Sequence, residues 1–375
     1  MISKSEPSLL EQLENSIAVD ADTMDPAFIA SLPIQCHDMT SNQRFVHEAI
    51  TAPHNRDIVH KTIKEMKGSP WEEIYTVLYA RIAKKVFPLL SGRVLAQTSP
   101  SHAYDVDYIV NHARSYVKAL NAEGISNDRL CIKIATTSAG IKAARILKAE
   151  GIPTLGTTLF SLHQAIAASQ AGMHAISMYF NEPMAHTDPA YWPDVADPAT
   201  EHPMAARHYQ IRQTYDKLSE QTGKAQPQMK TASFVSVREV LAMPELGADH
   251  VTLGRPILED LMLHSQLPAH QKGFWKVPVR DQIDKPHFIW ESWKAPPTEA
   301  SRMKEIAKSD PLSKVMTKDW KLASTEIDYT ADGVLDKYNE EDEVTRLRLA
   351  LALQRFSLME EESRKEIERL QAELA

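Results

Sequence analysis

The chain has 375 residues, 43% of them hydrophobic and 25% charged, with a net charge of 42 − 50 = −8. This composition is typical of a soluble globular protein, and the dispersed acidic balance argues against nucleic acid as the main partner. No apolar stretch approaches the roughly 18 residues of a membrane span, and the polar start does not resemble a secretory signal. The two cysteines, Cys36 and Cys131, exclude a disulfide scaffold and fit a reducing compartment such as the cytoplasm.

Eight short apolar runs alternate with segments of helical period. The runs predict strands at Ile17–Asp22, Ile34–Asp38, Gly92–Gln97, Leu130–Ala135, Pro153–Thr158, Ala175–Phe180, Gln228–Phe234 and His250–Leu253. Between them, helical spacing is clear over Asp105–Asn121, Ala139–Glu150 and Leu162–Ala171. Eight β/α repeats favour an α/β fold of the closed TIM (β/α)8 barrel type over an open doubly wound sheet.

Three segments depart from this alternation. Pro183–Pro203 contains five prolines and follows the sixth predicted strand, so we expect a long loop on the catalytic face of the barrel. Pro268–Pro311 is rich in Trp, Pro and Lys, and we expect it to wrap around the barrel. Asp342–Ala375 is strongly helical and charged, which favours a terminal helix docked on the body over a coiled-coil partner helix. We therefore predict a barrel domain at residues 1–265 and a wrapping tail with C-terminal helices at 266–375.

Two lysines lie in predicted strands. Lys133 belongs to the apolar run Leu130–Ala135, where a charged side chain is costly to bury. If it faces the interior, desolvation lowers the pKa of its amine, and a neutral amine forms a Schiff base with a carbonyl compound. The alternative is a lysine that reaches solvent or pairs with a carboxylate. Lys230 has opposite parity to Ser233, so we predict that it points away from the lumen.

The motif around Lys133 resembles the lysine motif of the transaldolase family, which comprises class I Schiff-base aldolases. The similar stretch is KIATTSAGIKAARILKAEGIPTLGTTLFSLHQAIAASQAGMHAIS, and further similar segments are SLLEQLENSIAVDADTMD, HDMTSN, SGRVLAQTSPSHAYD, KTASF, DHVTLGRPILEDL and DGVLDKYNEED. The resemblance implies a TIM barrel that needs no metal or organic cofactor and carries a Schiff-base lysine on its fourth strand. It also implies a small carbonyl or sugar substrate in carbohydrate metabolism, within the pentose phosphate pathway.

The resemblance assigns roles to four further residues. Asp22 matches the acid/base aspartate, which would take the proton from the C4 hydroxyl of a bound ketose. Asn42 matches an asparagine that binds donor hydroxyls, Thr157 a threonine that holds the catalytic water, and Ser177 a serine that lines the donor pocket. The alternatives are a helix-capping role for Asp22 and ordinary barrel-filling roles for the other three.

Several positions differ from the family pattern. Gln97 replaces a glutamate and Tyr179 replaces a phenylalanine, and this pair resembles fructose-6-phosphate aldolase. Leu155 replaces an asparagine. The two arginines that clamp the sugar phosphate fall at Glu182 and Val235, so a phosphate would lose its bidentate partners and meet a like charge.

Two residues near the barrel rim complete the candidate substrate site. Ser233 precedes the lost arginine position in the Ser233-Phe234-Val235 segment, and Arg255 follows the eighth predicted strand, where it would supply a replacement cation. The 15 histidines are scattered without metal-ligand spacing.

Three functions remain open on the sequence. The first is a transaldolase that transfers a dihydroxyacetone unit, and the second is a divergent aldolase or lyase acting on an unphosphorylated carbonyl compound in a specialised pathway. The third is a non-catalytic barrel used for binding. A homodimer is compatible with the sequence, which does not specify the oligomeric state.

Overall fold

The computed structural model describes residues 6–265 and 323–374, together with Met303, Ile306 and Leu312. Eight parallel strands close into a barrel in sequence order, so the predicted TIM (β/α)8 barrel is confirmed. The strands are β1 Ala18–Ala21, β2 Met39–Thr40, β3 Val94–Gln97, β4 Leu130–Ala135, β5 Thr154–Leu159, β6 Ala175–Met178, β7 Gln228–Thr231 and β8 His250–Leu253.

Helices of the described segments surround this barrel. They are α1 Leu9–Glu14, α2 Pro26–Ser31, α3 Gln43–Thr51, α4 Arg56–Glu65, α5 Trp71–Val86, α6 Val106–Ala122, α7 Ser138–Ala149, α8 Leu162–Ala171, α9 Pro198–Glu201, α10 Ala205–Thr222, α11 Val237–Leu241, α12 Met243–Leu246, α13 Arg255–Leu263, α14 Val334–Glu341 and α15 Glu343–Leu374. No helix in these segments has the length and the apolar run needed to cross a membrane.

The second predicted strand is wrong. Ile34–Asp38 precedes the strand, which consists of Met39 and Thr40 and pairs with β1 and β3. Cys36 is fully buried without belonging to a strand. An apolar run indicates that a segment is buried, but burial alone does not distinguish a strand from a buried loop.

The proline-rich segment after β6 lies where the sequence placed it, but it is not a bare loop. It contains short helical turns at Pro183–His186 and Pro189–Tyr191, followed by α9. Each begins with a proline, whose fixed φ and missing N–H suit the first position of a helix. The prolines therefore give this long connection local structure.

The terminal helix α15 docks on the body, as predicted. It packs against α3, α4, α5 and β5. Its buried apolar side chains include Leu349, Leu353, Ile367 and Leu370. The predicted wrapping segment Pro268–Pro311 lies outside the described residues apart from Met303 and Ile306, and the division at residue 265 stays a prediction.

The floor of the barrel lumen has two unlike halves. On one side, an apolar floor is formed by residues of β3 to β6: Leu95, Cys131, Leu155 and Ala175. On the other side, a charged floor is formed by side chains from β7, β8, β1 and the residue before β2: Lys230, His250, Asp20 and Asp38. The two halves therefore differ in the charge that they present to the lumen.

Candidate active site

A polar layer stands directly above the apolar floor. Side chains two residues apart along a strand lie on the same face. The residue two positions after each residue of the apolar floor therefore also faces the lumen, one layer higher. This layer, called here the lysine layer, consists of Gln97, Lys133, Thr157 and Ser177, all of them buried. The barrel thus brings together, toward the carboxyl ends of the strands, four residues that the sequence proposed separately.

Lys133 faces the lumen. Its Nζ donates a hydrogen bond of 2.8 Å to Oγ1 of Thr40, which lies on β2, so the contact crosses the barrel past β3. The lysine is only 4% exposed. Burial lowers the pKa of its amine, while the carboxylate of Asp22 is the strongest influence in the opposite direction. The amine is therefore closer to its neutral, nucleophilic form than an exposed lysine.

Asp22 lies one residue beyond β1, near Lys133. Its Oδ1 is buried and has no hydrogen-bond partner among the described residues. Burial raises the pKa of the carboxyl to about 6, against the lowering effects of Lys133 and Arg44. A carboxyl with this pKa can both accept and return a proton near neutrality.

Thr157 and Tyr179 form a hydroxyl pair beside the lysine layer, with 3.3 Å between Oγ1 and the phenol oxygen. Burial raises the pKa of Tyr179, so its hydroxyl remains protonated. The strand is irregular at this point: the pairing of β5 with β6 shifts between Gly156 and Leu159, and Thr158 has φ of 53°. A positive φ is strained for a β-branched residue, and such strain is concentrated at functional sites.

The amide of Gln97 is fixed by a second glutamine. Its Nε2 donates to Oε1 of Gln43 at 2.9 Å, and Gln43 in turn donates to the backbone oxygen of Thr98 at 3.1 Å. Oε1 of Gln97 is left buried and without a partner in the described segments. It can therefore accept a hydrogen bond from water or a hydroxyl, although an amide cannot take up a proton as a carboxylate does.

The predicted substrate residues around the rim are engaged in different ways. Asn42 caps α3, and its side-chain oxygen accepts from the backbone N–H of Arg44 at 3.0 Å. Ser233 donates to the backbone oxygen of Asn181 at 2.9 Å and lies 2.8 Å from Nε2 of His186. Asn42 follows the end of β2 and Ser233 follows the end of β7.

Arg255 is held by surface carboxylates. Its Nε donates to Glu259 at 2.7 Å, Asp25 lies 3.6 Å from a terminal nitrogen, and the guanidinium covers the ring of Phe28. The side chain is 55% exposed. The contacts given for Arg255 are therefore with nearby surface residues, and none of them is with the lysine layer.

The predicted outward orientation of Lys230 is wrong. Its Nζ lies 2.9 Å from Oδ2 of Asp38 and 3.3 Å from Oδ2 of Asp20. Asp20 is on β1, which β8 separates from β7, so the ammonium must point into the lumen. The parity argument failed because β7 ends at Thr231, and Ser233, with φ of 69°, does not continue the strand geometry.

Sequence reasoning missed four residues that contact the site. Thr40 lies within the matched segment HDMTSN, and Gln43 and Arg44 directly follow it. Their polar character at the end of a strand is a usable signal. The fourth is Arg348 of α15, whose Nε lies 3.9 Å from Oε2 of Glu182. No local pattern could show that a terminal helix brings this arginine to the loop after β6.

No group of three or more His, Cys, Asp or Glu side chains within the described ranges could hold a metal ion. The chemistry available from the described residues is that of an amine, a carboxyl and several hydroxyl and amide groups. Fold and site together define the class: a (β/α)8 barrel with a buried lysine and a buried carboxyl at the carboxyl ends of its strands.

Comparison with known proteins identifies the family. Residues 19–310 match the family model "Transaldolase/Fructose-6-phosphate aldolase". A transaldolase from Nostoc punctiforme is 32% identical over 263 residues, covering 68% of this chain and 76% of the relative. A transaldolase from Prochlorococcus marinus (strain NATL1A) is 31% identical over 286 residues, covering 74% and 83%. The chain belongs to the transaldolase/fructose-6-phosphate aldolase family, and it is an enzyme of the transaldolase/aldolase kind.

One solved structure is also similar, an IMP dehydrogenase/GMP reductase-like protein from Corynebacterium glutamicum. It shares 12% identity with a TM-score of 0.40 and covers 69% of this chain and 71% of that chain. Similarity at this level is too low to bear on function.

Proposed function

We propose that the enzyme forms a Schiff base between Lys133 and a ketone or ketose donor and then makes or breaks a carbon–carbon bond, transferring a dihydroxyacetone-type unit. The observation that carries the proposal is the environment of Lys133. The amine is buried, its pKa is lowered by that burial, and its hydrogen-bond partner is the neutral hydroxyl of Thr40. A lysine in this state is suited to attack a carbonyl carbon.

The proposed sequence of steps uses the groups around the amine. Lys133 adds to the C2 carbonyl of the ketose, and loss of water gives an iminium ion. Asp22 then takes the proton of the C4 hydroxyl, the C3–C4 bond breaks, and its electron pair moves into the iminium to form an enamine. An aldehyde leaves, and an acceptor aldehyde reacts by the reverse steps.

Water leaves when the imine forms, and water must return to hydrolyse the imine and release the product. Thr157 and Tyr179, whose hydroxyls lie 3.3 Å apart, and the unpaired Oε1 of Gln97 are positioned to hold such a water by hydrogen bonds. Because Gln97 cannot accept a proton, we assign proton transfer with this water to Asp22, whose pKa is raised to about 6.

Borohydride trapping tests the proposal directly. The enzyme is incubated with dihydroxyacetone, the imine is reduced, and the adduct is mapped by mass spectrometry. We expect one adduct, on Lys133. Lys142 on α7 is an internal control, because it is a partly exposed lysine paired with Asp332. Labelling at Lys142 or Lys230 in place of Lys133 would contradict the assignment.

A second candidate is an aldolase or lyase acting on an unphosphorylated carbonyl compound. The observation in its favour is that Glu182 and Val235 occupy the positions where the resemblance places two phosphate-binding arginines. Turnover of fructose 6-phosphate is compared with turnover of free fructose and with aldol addition of dihydroxyacetone. An ordinary Michaelis constant and good turnover for fructose 6-phosphate would favour the transaldolase function.

The cytoplasmic location and the homodimer stay predictions. Cell fractionation would test the location, and light scattering would test the homodimer.

A further inference from the structure

Arg348 of the terminal helix is incompletely paired within the described segments. Its Nε lies 3.9 Å from Oε2 of Glu182, which is beyond hydrogen-bond distance. Its Nη1 is buried and has no hydrogen-bond partner in the described part of the chain. Burial lowers the pKa of the guanidinium to about 10, with Glu182 as the largest opposing influence. A buried cation paired this loosely is costly unless a further anion approaches it.

A neighbouring arginine shows what full pairing looks like. Arg207 donates to both carboxylate oxygens of Asp342, at 2.6 and 3.2 Å, and to the backbone oxygen of Phe160 at 3.2 Å. Asp342 immediately precedes α15, so this bidentate pair fixes the start of the helix that carries Arg348. The start of the helix that carries Arg348 is therefore fixed by another contact, and Nη1 of Arg348 is left without a hydrogen-bond partner among the described residues.

Arg348 stands near the mouth of the barrel. Glu182 follows Tyr179 by three residues, so at most roughly 11 Å of chain separates them. The hydroxyl of Tyr179 contacts Thr157 in the lysine layer, and α15 itself packs against β5. A substrate several carbon atoms long, with its carbonyl carbon at Lys133, would place its far end toward this arginine.

We propose that Arg348 binds the anionic far end, a phosphate or a carboxylate, of the carbonyl substrate, and that Glu182 competes with this anion. The inference rests on the proposed function, since Lys133 is taken to hold the carbonyl end. The planar guanidinium can donate two parallel hydrogen bonds to such an anion. Glu182 weakens binding of every anion, so the pair sets how strongly the enzyme prefers charged over neutral substrates.

The test measures the concentration of probe that half-saturates borohydride-trapped imine, a readout that does not depend on turnover. The probes are fructose 6-phosphate, the ketone 6-oxoheptanoate with a terminal carboxylate, and neutral fructose. For Arg348→Gln we expect the value for the anionic probes to rise by at least about tenfold, with less than a twofold change for fructose. Glu182→Gln should lower it for the same probes, and Arg348→Lys should restore part of the lost affinity.

The matched control is Arg346→Gln, two residues earlier on the same helix, where the side chain is 42% exposed and pairs with Glu343. It should leave all three probes unchanged. An effect of Arg348→Gln on one anion alone identifies that anion as the ligand. If Arg348→Gln does not fold, Arg348→Lys and Glu182→Gln still give opposite expected shifts.

The outcomes separate this inference from the function on which it rests. Absence of any adduct in the unmodified enzyme, even with dihydroxyacetone, overturns the proposed function and the inference with it. The inference alone is overturned if the unmodified enzyme forms a normal adduct but the Arg348 and Glu182 substitutions do not distinguish the probes. In that case the half-saturating concentrations of fructose and of the anionic probes change equally, or none of them changes.

Discussion

The two buried lysines of the lumen differ in what surrounds them. Lys133 stands over the apolar floor and donates to one hydroxyl, that of Thr40, and burial lowers its pKa. Lys230 belongs to the charged floor, where two carboxylates lie within 3.3 Å of its ammonium, at Asp38 and Asp20. Those carboxylates raise the pKa of Lys230 in spite of its burial.

The comparison shows that burial alone does not make a lysine a nucleophile. Desolvation disfavours the charged amine at both positions, and nearby opposite charges decide the result. Around Lys133 the strongest counter-charge is Asp22, whose own pKa burial raises to about 6. Around Lys230 the carboxylates hold the ammonium in its charged form, which suits a structural role.

Removal of the amine of Lys133 should have the largest effect. Lys133→Met is close in size and replaces a costly polar group by an apolar one, so the protein should fold with unchanged or higher stability. Imine trapping and carbon–carbon bond turnover should both disappear. Mass spectrometry after borohydride reduction checks the first, and a coupled assay for the released aldehyde checks the second. Residual trapping on Lys230 in this variant would refute the contrast drawn here.

The same substitution at the other lysine should reduce the stability of the protein more than its catalytic activity. Lys230→Met leaves Asp20 and Asp38 buried without their cation, and breaking a buried ion pair typically costs about 3–5 kcal/mol. Urea unfolding followed by circular dichroism measures this loss. The matched control adds Asp20→Asn and Asp38→Asn, which removes the stranded charges and should recover most of the stability. An unchanged unfolding free energy for Lys230→Met would show that the charged floor contributes little.

The fold was largely predictable because local and long-range patterns agree. Seven of the eight predicted strands overlap observed ones, and the terminal helix docks as expected. The second strand failed because only Met39 and Thr40 pair in it, and two residues carry almost no periodic signal. The predicted outward orientation of Lys230 was wrong because the alternation of side chains was counted from Ser233. Ser233 has a positive φ, which no sequence pattern indicated.

The candidate site was predictable where it lies on strands. Lys133 was found from its apolar run, and Gln97, Thr157 and Ser177 from the family resemblance. All four lie on strands, two residues beyond the apolar floor. Arg348 could not be found from sequence, because it lies in the last helix, far along the chain from Glu182 in the loop after β6. Contacts of this kind depend on how α15 is docked, which only the folded chain specifies.

A smaller effect is expected from the carboxyl that accompanies Lys133. Asp22→Asn keeps the size of the side chain and leaves the amine in place, so the trapped imine with dihydroxyacetone should still form. It should form more slowly, because Asp22 is also assigned the proton transfer with the imine water. Carbon–carbon cleavage should fall by roughly two orders of magnitude or more, because the amide cannot take the proton of the C4 hydroxyl. Single-turnover measurement of aldehyde release separates the two steps. Near-normal cleavage would mean that Asp22 serves structure only.

The smallest effect is expected from a change of pH that protonates Asp22 in the unmodified enzyme. Burial raises its pKa to about 6, so the carboxylate that acts as base is lost as the pH falls through that value. We therefore expect kcat/KM to decrease by about tenfold per pH unit below about 6, because this parameter reports ionisation in the free enzyme. The residual activity of Asp22→Asn should lack this acidic limb, while Arg44→Gln, which removes a cation that lowers the Asp22 pKa, should move the limb to higher pH. A limb near the ordinary carboxyl value of about 4 would show that the site is open enough to hydrate Asp22 and that Lys133 is less desolvated than its burial indicates.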